Sequence, residues 1–493
     1  MDIDQNACYE AISARDRRFD GRFFTAVKTT GIYCRPICPA ATPKRQNVVF
    51  YPTAAAAGEA GYRPCLRCRP EATPDIGAWR GSFNTVNRAL ALIEDGALDD
   101  EGDVGTLAAR LGVGERHLRR LFREHLGASP IAVAQTTRVH LAKQLLHETQ
   151  LPMSEVALAS GFGSVRRFNE TFQTLFGRSP SSLRRGGRSE VAAATGGVTV
   201  RLRYRAPYDW PAMLSFLSAR AIPGMELVED DAYSRVIDLG GAIGSVQVTQ
   251  ARDEDALIAH IRFPVLLRLP AIIARLWRVF DLTADPEAIN EHLVRDARLA
   301  PMVAARPGLR APGGWDGFEL AVRAILGQQI TVKAAIGLAG KLVERYGEPA
   351  LPSATGDARL THAFPRPERM ASDDLQLGMP PSRVRSLRSL ASAVADDPNL
   401  LGMGRSLEEA IERLKALPGV GEWTAHYIAL RGMREPDAFP AGDVGLMRAF
   451  ADETGLRPTA AQLLERAEAW RPWRAYAAQH LWAASSTVAG KAA

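Results

Sequence analysis

The sequence predicts a multi-domain α+β chain: a small α/β domain closed around a metal, an all-α double helix-turn-helix domain, a mixed α/β domain, and an all-α domain built on a helix-hairpin-helix. Three observations carry that reading. At 493 residues the chain is longer than one hydrophobic core can organise. All of its cysteines lie at or before Cys68. Between residues 104 and 176 a pattern of short helix, glycine turn and amphipathic helix occurs twice.

Composition narrows the class. Hydrophobic residues make up 46% and charged residues 24%, which fits a folded globular chain and excludes wholesale disorder. The richest apolar stretch, Phe263 to Trp277, is interrupted by Arg268, Pro270 and Arg275, so no membrane span is expected. The acidic start, Met1-Asp-Ile-Asp, carries no apolar run, and a cytoplasmic, nucleoid-associated bacterial protein is expected. The net charge is +6, and residues 1 to 190 hold 26 Lys/Arg against 20 Asp/Glu, which accounts for all of it. From Arg110 to Arg188 the balance is 13 against 5, a basic segment suited to releasing counterions from phosphate.

The first segment, residues 1–78, contains Cys34-x3-Cys38 and Cys65-x2-Cys68, with Cys8 left over. Two close-spaced thiolate pairs offer four sulfurs tetrahedrally, so Cys34, Cys38, Cys65 and Cys68 are read as ligands of one Zn2+. The Arg-Pro-Glu-Ala-Thr-Pro stretch after Cys68 reads as a linker.

The second segment, 82–186, is the duplicated one. Leu118, Leu121 and Phe122 face inward in the first copy, and Phe168, Phe172, Leu175 and Phe176 in the second. The opposite faces present Arg116, Arg119, Arg120 and Arg123, then Arg166, Arg167 and Asn169, which can reach major-groove bases or phosphates. This segment, through Phe176-Gly-Arg-Ser-Pro-Ser, resembles the AraC-family DNA-binding domain. Its expected partners are double-stranded DNA at promoter sites and RNA polymerase.

The phrases Phe23-Phe-Thr-Ala-Val-Lys-Thr-Thr-Gly-Ile-Tyr-Cys34-Arg-Pro-Ile-Cys38 and Gly61-Tyr-Arg-Pro-Cys65-Leu-Arg-Cys68 resemble the amino-terminal domain of the Ada family of adaptive-response regulators. The resemblance implies that the zinc-bound Cys34 accepts a methyl group irreversibly from a DNA methylphosphotriester, and that DNA binding then strengthens because the cluster becomes less negative. Arg35, Lys44, Arg45, Arg63 and Arg67 are candidates for backbone contacts. A zinc that is only scaffold is the competing reading, and the Cys34-Arg-Pro context argues against it. The Pro-Cys-His-Arg motif of that family's second methyltransferase is absent, since no cysteine follows Cys68.

After a break at Arg184-Arg-Gly-Gly-Arg through Gly197, the alternation Val198-Thr-Val-Arg-Leu-Arg-Tyr reads as a strand. From Tyr204-Arg-Ala-Pro-Tyr-Asp-Trp-Pro through Phe318-Glu-Leu-Ala-Val-Arg-Ala-Ile-Leu-Gly-Gln the chain resembles the AlkA family of 3-methyladenine DNA glycosylases. The resemblance covers the last 295 residues, with a mixed α/β domain at 198–312 and a helical glycosylase domain at 313–493. In the latter, Leu417-Pro-Gly419-Val-Gly421-Glu-Trp423 resembles a helix-hairpin-helix, whose backbone N–H groups can hold a phosphate without reading sequence. Asp443, in Phe439-Pro-Ala-Gly-Asp443, stands where a carboxylate would stabilise a cationic sugar. Trp423, Tyr427 and Trp482 are candidates to receive a flipped base, and a cationic alkylpurine would gain cation-π attraction from them. Tryptophan, not lysine, at 423 implies hydrolysis without strand cleavage. Gln329 stands where the family inserts an apolar wedge.

Together these readings predict a monomeric, fused alkylation-response protein acting on double-stranded DNA: a transcription regulator activated by methyl transfer, and a monofunctional glycosylase. The alternative is a regulator whose glycosylase-like half is a non-catalytic DNA clamp.

Overall fold

The computed structural model describes residues 4–73, 85–94, 96–98, 102–184, 197–402, 406–451 and 455–489. The expected break at 184–197 lies almost wholly outside the described residues, as do the expected segment ends at 78, 82, 186 and 493. The stretch after Cys68, expected as a linker, is instead packed structure: Pro70–Ala72 forms a 3-10 turn, and Glu71 is 1% exposed because it is buried in an ion pair with Lys143. By internal contact the chain forms two units. The first comprises residues 1–80, 84–203 and 265–274; the second comprises 81–83, 204–264 and 275–493.

In the first unit a four-stranded sheet has the order β3-β1-β2-β4, with β1 at Phe24–Val27, β2 at Ile32–Cys34, β3 at Val48–Tyr51 and β4 at Arg63–Pro64. β1 pairs antiparallel with both β2 and β3, whereas β2 and β4 run parallel in the register Ile32↔Arg63 and Tyr33↔Pro64. That register delivers Cys34 and Cys65 side by side at one end of the sheet. Alternation along β2 turns Tyr33 into the core, where it packs edge-on against Phe24.

The same unit holds the two helix-turn-helix copies. Helices Val104–Arg110 and Glu115–Leu126 form the first, Met153–Ala159 and Val165–Phe176 the second, and the 19-residue helix Pro130–Glu148 lies between them. Leu118, Phe122, Phe168 and Phe172 are fully buried, and Leu121 and Leu175 half-buried. Phe162, Phe168, Phe172 and Phe176 form a ladder of ring contacts at 4.8 to 5.3 Å. Gly127 and Gly177 close the two exposed helices in the left-handed conformation, at φ 70° and 63°. A Cβ on Gly127 would stand 3.1 Å from Ala56 Cβ and 3.2 Å from Pro52 Cγ, so the metal module sits hard against the first copy.

The second unit contains an antiparallel meander, β5 at Glu226–Glu229, β6 at Ala232–Leu239, β7 at Ala242–Gln250 and β8 at Ala256–Arg262. Among the described residues the other regular elements of this unit are helices, apart from a two-residue pairing of Glu348–Pro349 with His362–Ala363. Helix Gly317–Leu326 is apolar nearly all round and is buried in the middle of this unit. No described helix is long and apolar enough to cross a membrane.

Candidate functional site

The four cysteine sulfurs at Cys34, Cys38, Cys65 and Cys68 lie within 4.8 Å of one another. A tetrahedron with bonds of about 2.3 Å has edges of about 3.8 Å, so the donor set fits zinc in number, chemistry and spacing. The four differ in their surroundings. Cys65 and Cys68 are buried, and each accepts a backbone N–H, from Arg67 at 3.3 Å and from Arg35 at 3.4 Å. Among the described residues no backbone N–H bonds Cys34 or Cys38, both of which are half-buried. Arg35, expected to touch phosphate, is instead committed to the protein. Its guanidinium pairs with the buried Asp20 and bonds the Cys68 carbonyl at 3.3 Å. Lys44 and Arg67 are exposed, whereas Arg45 lies over the rings of Tyr9 and Phe50.

All the arginines expected on the two reading helices are exposed, yet several already hold a carboxylate. Arg119 bonds Glu115 at 2.6 Å, Arg120 bonds Glu124 at 3.1 Å and Arg166 bonds Glu170 at 2.7 Å, all one helical turn apart. Arg123 pairs with Glu59 of the metal module. Arg116 and Arg167 have no ion-pair partner among the described residues.

The glycosylase-like site is built at one end of helix Glu422–Arg431. The turn before it carries Gly419 at φ 80°, where a Cβ would stand 2.1 Å from Ser386 Oγ, so glycine is demanded from inside the protein. At Gly421 a Cβ would meet nothing within 4 Å, which leaves the backbone open to an outside group. Gln328 ties this hairpin to the end of helix Gly317–Leu326, donating to the Gly419 carbonyl at 2.8 Å and to Thr424 Oγ1 at 3.0 Å. Gln329, the next residue, is exposed with φ 59°, a left-handed conformation that is costly for a side chain of its size.

Asp443 is both the amino-terminal cap of helix Val444–Ala449 and the centre of the site. Its Oδ1 accepts the N–H groups of Gly445 at 2.8 Å and Leu446 at 3.0 Å. Trp482 Nε1 donates to the same oxygen at 2.9 Å, and Trp423 Nε1 donates to Oδ2 at 2.9 Å. The helix cap and the candidate carboxylate are therefore one group, and the indoles expected as base platforms also fix it in place. Trp423 stacks on Tyr427 at 5.2 Å and 14°, and Tyr427 meets Trp482 edge-on at 6.5 Å. Asp443 and the three aromatics line a cavity of about 850 Å³.

Sequence reasoning missed two sets of residues here. Gly445 gives the site its close fit: a Cβ there would stand 3.0 Å from Asp443 Oδ1 and 3.3 Å from Trp482 Cδ1, so the carboxylate or the indole would have to shift. Arg431, buried and lining the same cavity, lies over the rings of Tyr427 and Trp482 at 5.5 and 5.1 Å and bonds Gln479 at 2.9 Å. Burial holds its guanidinium down to about 10. Burial would raise the Tyr427 phenol, but Arg431 and Arg220 outweigh it and hold the phenol below its ordinary value. A cation thus already occupies part of the aromatic cage, which offsets some of its attraction for a cationic base.

Four family models match successive parts of the chain. They are the metal binding domain of Ada at residues 7–71, a helix-turn-helix domain at 107–186, the AlkA N-terminal domain at 199–316, and the HhH-GPD superfamily of base excision DNA repair proteins at 322–475. Over 490 residues, 98% of this chain and 97% of the other, it is 44% identical to a Mycobacterium tuberculosis protein named "Probable bifunctional transcriptional activator/DNA repair enzyme AlkA". It is 38% identical to DNA-3-methyladenine glycosylase 2 of Escherichia coli over 57% of this chain and 95% of that protein. It is 32% identical to the bifunctional transcriptional activator/DNA repair enzyme Ada of the same organism over 37% of this chain and 49% of that protein. A 3-methyladenine DNA glycosylase from Archaeoglobus fulgidus shares the fold, with a TM-score of 0.51 at 22% identity over 58% of this chain and 98% of that one. The cysteine quartet is a single zinc site, and the chain joins helix-turn-helix and helix-hairpin-helix DNA-binding modules.

Proposed function

The chain belongs to the family of bifunctional transcriptional activator/DNA repair enzymes, and from that premise we propose two activities in one polypeptide. One is a monofunctional DNA glycosylase that releases alkylated bases such as 3-methyladenine. The other is a transcription activator switched on by methyl transfer to Cys34.

The observation that carries the first is the fourfold hydrogen bonding of Asp443 beside an aromatic cavity. A flipped nucleotide enters between the rings, the bond from C1′ to the base nitrogen breaks, and its electron pair leaves with the base. Positive charge then develops on the sugar facing Asp443, which is held by donors on both oxygens and needs no reorganisation to stabilise it. Water adds at C1′ and its proton goes to solvent. The hairpin N–H groups around Gly419 and Gly421 hold a backbone phosphate, and Gln329 fills the space the nucleotide vacates, where its amide can hydrogen-bond the orphaned partner base.

For the second activity, support comes from the contrast among the four sulfurs. Zinc, when bound, keeps the four thiolates deprotonated at neutral pH. A thiolate that accepts N–H bonds, as Cys65 and Cys68 do, has spent part of its lone-pair density; among the described residues Cys34 accepts none from the backbone, and it is not fully buried. Its Sγ attacks the methyl carbon of a methylphosphotriester, forming an S–CH3 bond as the C–O bond breaks. The phosphodiester leaves with the negative charge the sulfur has lost, and no proton moves. With one negative charge fewer near the DNA, the reading helices bind more tightly.

One experiment tests both: incubation of the purified protein with alkylated duplex DNA, with released bases and protein mass followed in the same sample. Release of 3-methyladenine and a single added methyl on Cys34 are expected. No release from any alkylated DNA would favour the non-catalytic clamp, and a methyl on another cysteine would overturn the assignment of Cys34. With Trp423 in place of a lysine, borohydride traps no covalent adduct.

A further inference from the structure

Three residues beyond Cys68 the chain buries a carboxylate, and the residue before Cys34 buries a phenol; both point at the same helix. Glu71 and Lys143 form an ion pair at 2.6 Å, each side chain only 1% exposed. Arg69, directly after Cys68, adopts φ 53°, a left-handed turn that is costly for arginine. It turns the chain so that Glu71 drops onto the middle of helix Pro130–Glu148, and its own guanidinium bonds the other Glu71 oxygen at 3.2 Å. Tyr33, adjacent to Cys34, meets His140 Nε2 through its hydroxyl at 3.0 Å, three residues before Lys143 on that helix. The contact continues from the metal module's short helix Ala54–Glu59. There Thr53 donates to the Leu126 carbonyl at 2.7 Å and Glu59 accepts the Ser129 N–H at 3.2 Å.

We propose that the metal module and the helix-turn-helix module are one zinc-dependent folding unit, in which Glu71 and Tyr33 position the central helix Pro130–Glu148 through Lys143 and His140, so that loss of zinc disorganises both reading helices without any methyl transfer. The physical reason lies in how little else holds the ends carrying these two residues. β2 has three residues and β4 two, and beyond them the chain around the cysteines has only the single 3-10 turn Pro70–Ala72, which carries Glu71, to fix it. Four ligands closing on one ion provide that fixation. Released, the segment carrying Glu71 leaves Lys143 buried without its partner, a state that a protein interior does not tolerate. Two independently stable domains that merely touch would not bury a salt bridge this completely three residues from a metal ligand. The inference does not depend on the methyl-acceptor role of Cys34.

Hydrogen exchange on the full chain tests it, with zinc bound and after chelation. Exchange across residues 130–148 should accelerate by about 100-fold or more on metal removal, taking helix Glu422–Arg431 as the internal reference. Unchanged protection of 130–148 would overturn the proposal. Coupling must also be reciprocal. Lys143→Met, which leaves every cysteine in place, should weaken zinc affinity by about 10-fold or more in a competition titration, and Tyr33→Phe should weaken it less. In Glu71→Leu combined with Lys143→Met, where no buried charge is left to be stranded, chelation should accelerate exchange at least about 10-fold less than in the wild type. An equally metal-sensitive double variant would assign the dependence to something other than this pair. Should the variants not fold, the wild-type exchange experiment alone decides.

Discussion

Asp443 and Cys34 are the reactive groups of the two proposed chemistries, and the protein treats them in opposite ways. Asp443 accepts four hydrogen bonds, two from the backbone and two from indoles. Cys34, like Cys38, accepts none from the backbone among the described residues, while Cys65 and Cys68 each accept one. The difference follows from what each group must do. A carboxylate that stabilises a transient cation works best when immobile and already polarised, so donors that lock it in place cost nothing at the moment of reaction. A thiolate that must form a bond needs its lone pairs unspent, and each N–H donor would lower its nucleophilicity. In the proposed chemistries one site turns over and the other is consumed when it acts.

The largest effect expected from that contrast is all or nothing. Cys34→Ala should take up no methyl group from methylphosphotriester DNA, although Cys38, Cys65 and Cys68 remain; Cys65 and Cys68 are buried and hydrogen-bonded, Cys38 is the half-buried control, and protein mass spectrometry reads all three directly. Appearance of a methyl on Cys65 or Cys68 would mean that backbone donors do not select the acceptor. Next in size, Asp443→Asn keeps the shape and loses the charge. Base release should fall by about 100-fold, taking roughly 2.7 kcal/mol as the worth of one such group. Affinity for abasic DNA should stay within a few-fold, because the hairpin and rings are untouched. Equal losses of rate and binding would show that Asp443 is a helix cap and nothing more.

A smaller effect separates the two jobs of Trp423. Trp423→Phe keeps a ring to stack on Tyr427 but removes the donor to Asp443 Oδ2. A hydrogen bond to a charged group is worth about 1.5 kcal/mol at the low end, so single-turnover base release should slow by about 10-fold with little change in lesion affinity. A loss confined to affinity would instead mark the indole as a platform only.

What can be read from the sequence is what local spacing determines. Cys34-x3-Cys38 and Cys65-x2-Cys68 announce a metal site because few folds need four thiols so placed. The Gly419-Val-Gly421 turn and Asp443 ahead of a helix are legible for the same reason. Pairings made only by tertiary packing are not. Gln328 bonds Gly419 across 91 residues, Arg431 reaches Gln479 across 48, and Glu71 meets Lys143 across 72, and nothing local marks any of them. Arg35 reads as a phosphate ligand in sequence because nothing there shows that Asp20 lies beside it. The pairs Glu115–Arg119 and Arg166–Glu170 are legible at one-turn spacing, yet counting arginines alone overlooks them.

Those two pairs yield the smallest prediction and extend the contrast between spent and unspent groups to the reading helices. An exposed one-turn ion pair is weak, so it restrains Arg119 or Arg166 little, but its carboxylate stays close to any phosphate the arginine meets. Glu115→Ala and Glu170→Ala each remove that repulsion and free a guanidinium. If both helices face DNA, each variant should bind a duplex about two-fold more tightly at low salt, and the gain should fade as salt rises because the pairs are solvent-screened. Arg116 and Arg167, which have no ion-pair partner among the described residues, give the opposite control: replacing either with alanine should weaken binding and lower the salt slope by about 0.9 for each phosphate no longer neutralised. A gain from Glu115→Ala with none from Glu170→Ala would mean that only the first copy, the one pressed against the metal module at Gly127, meets the DNA. No change from any of the four would place the duplex elsewhere and leave both arginine faces as solvated surface.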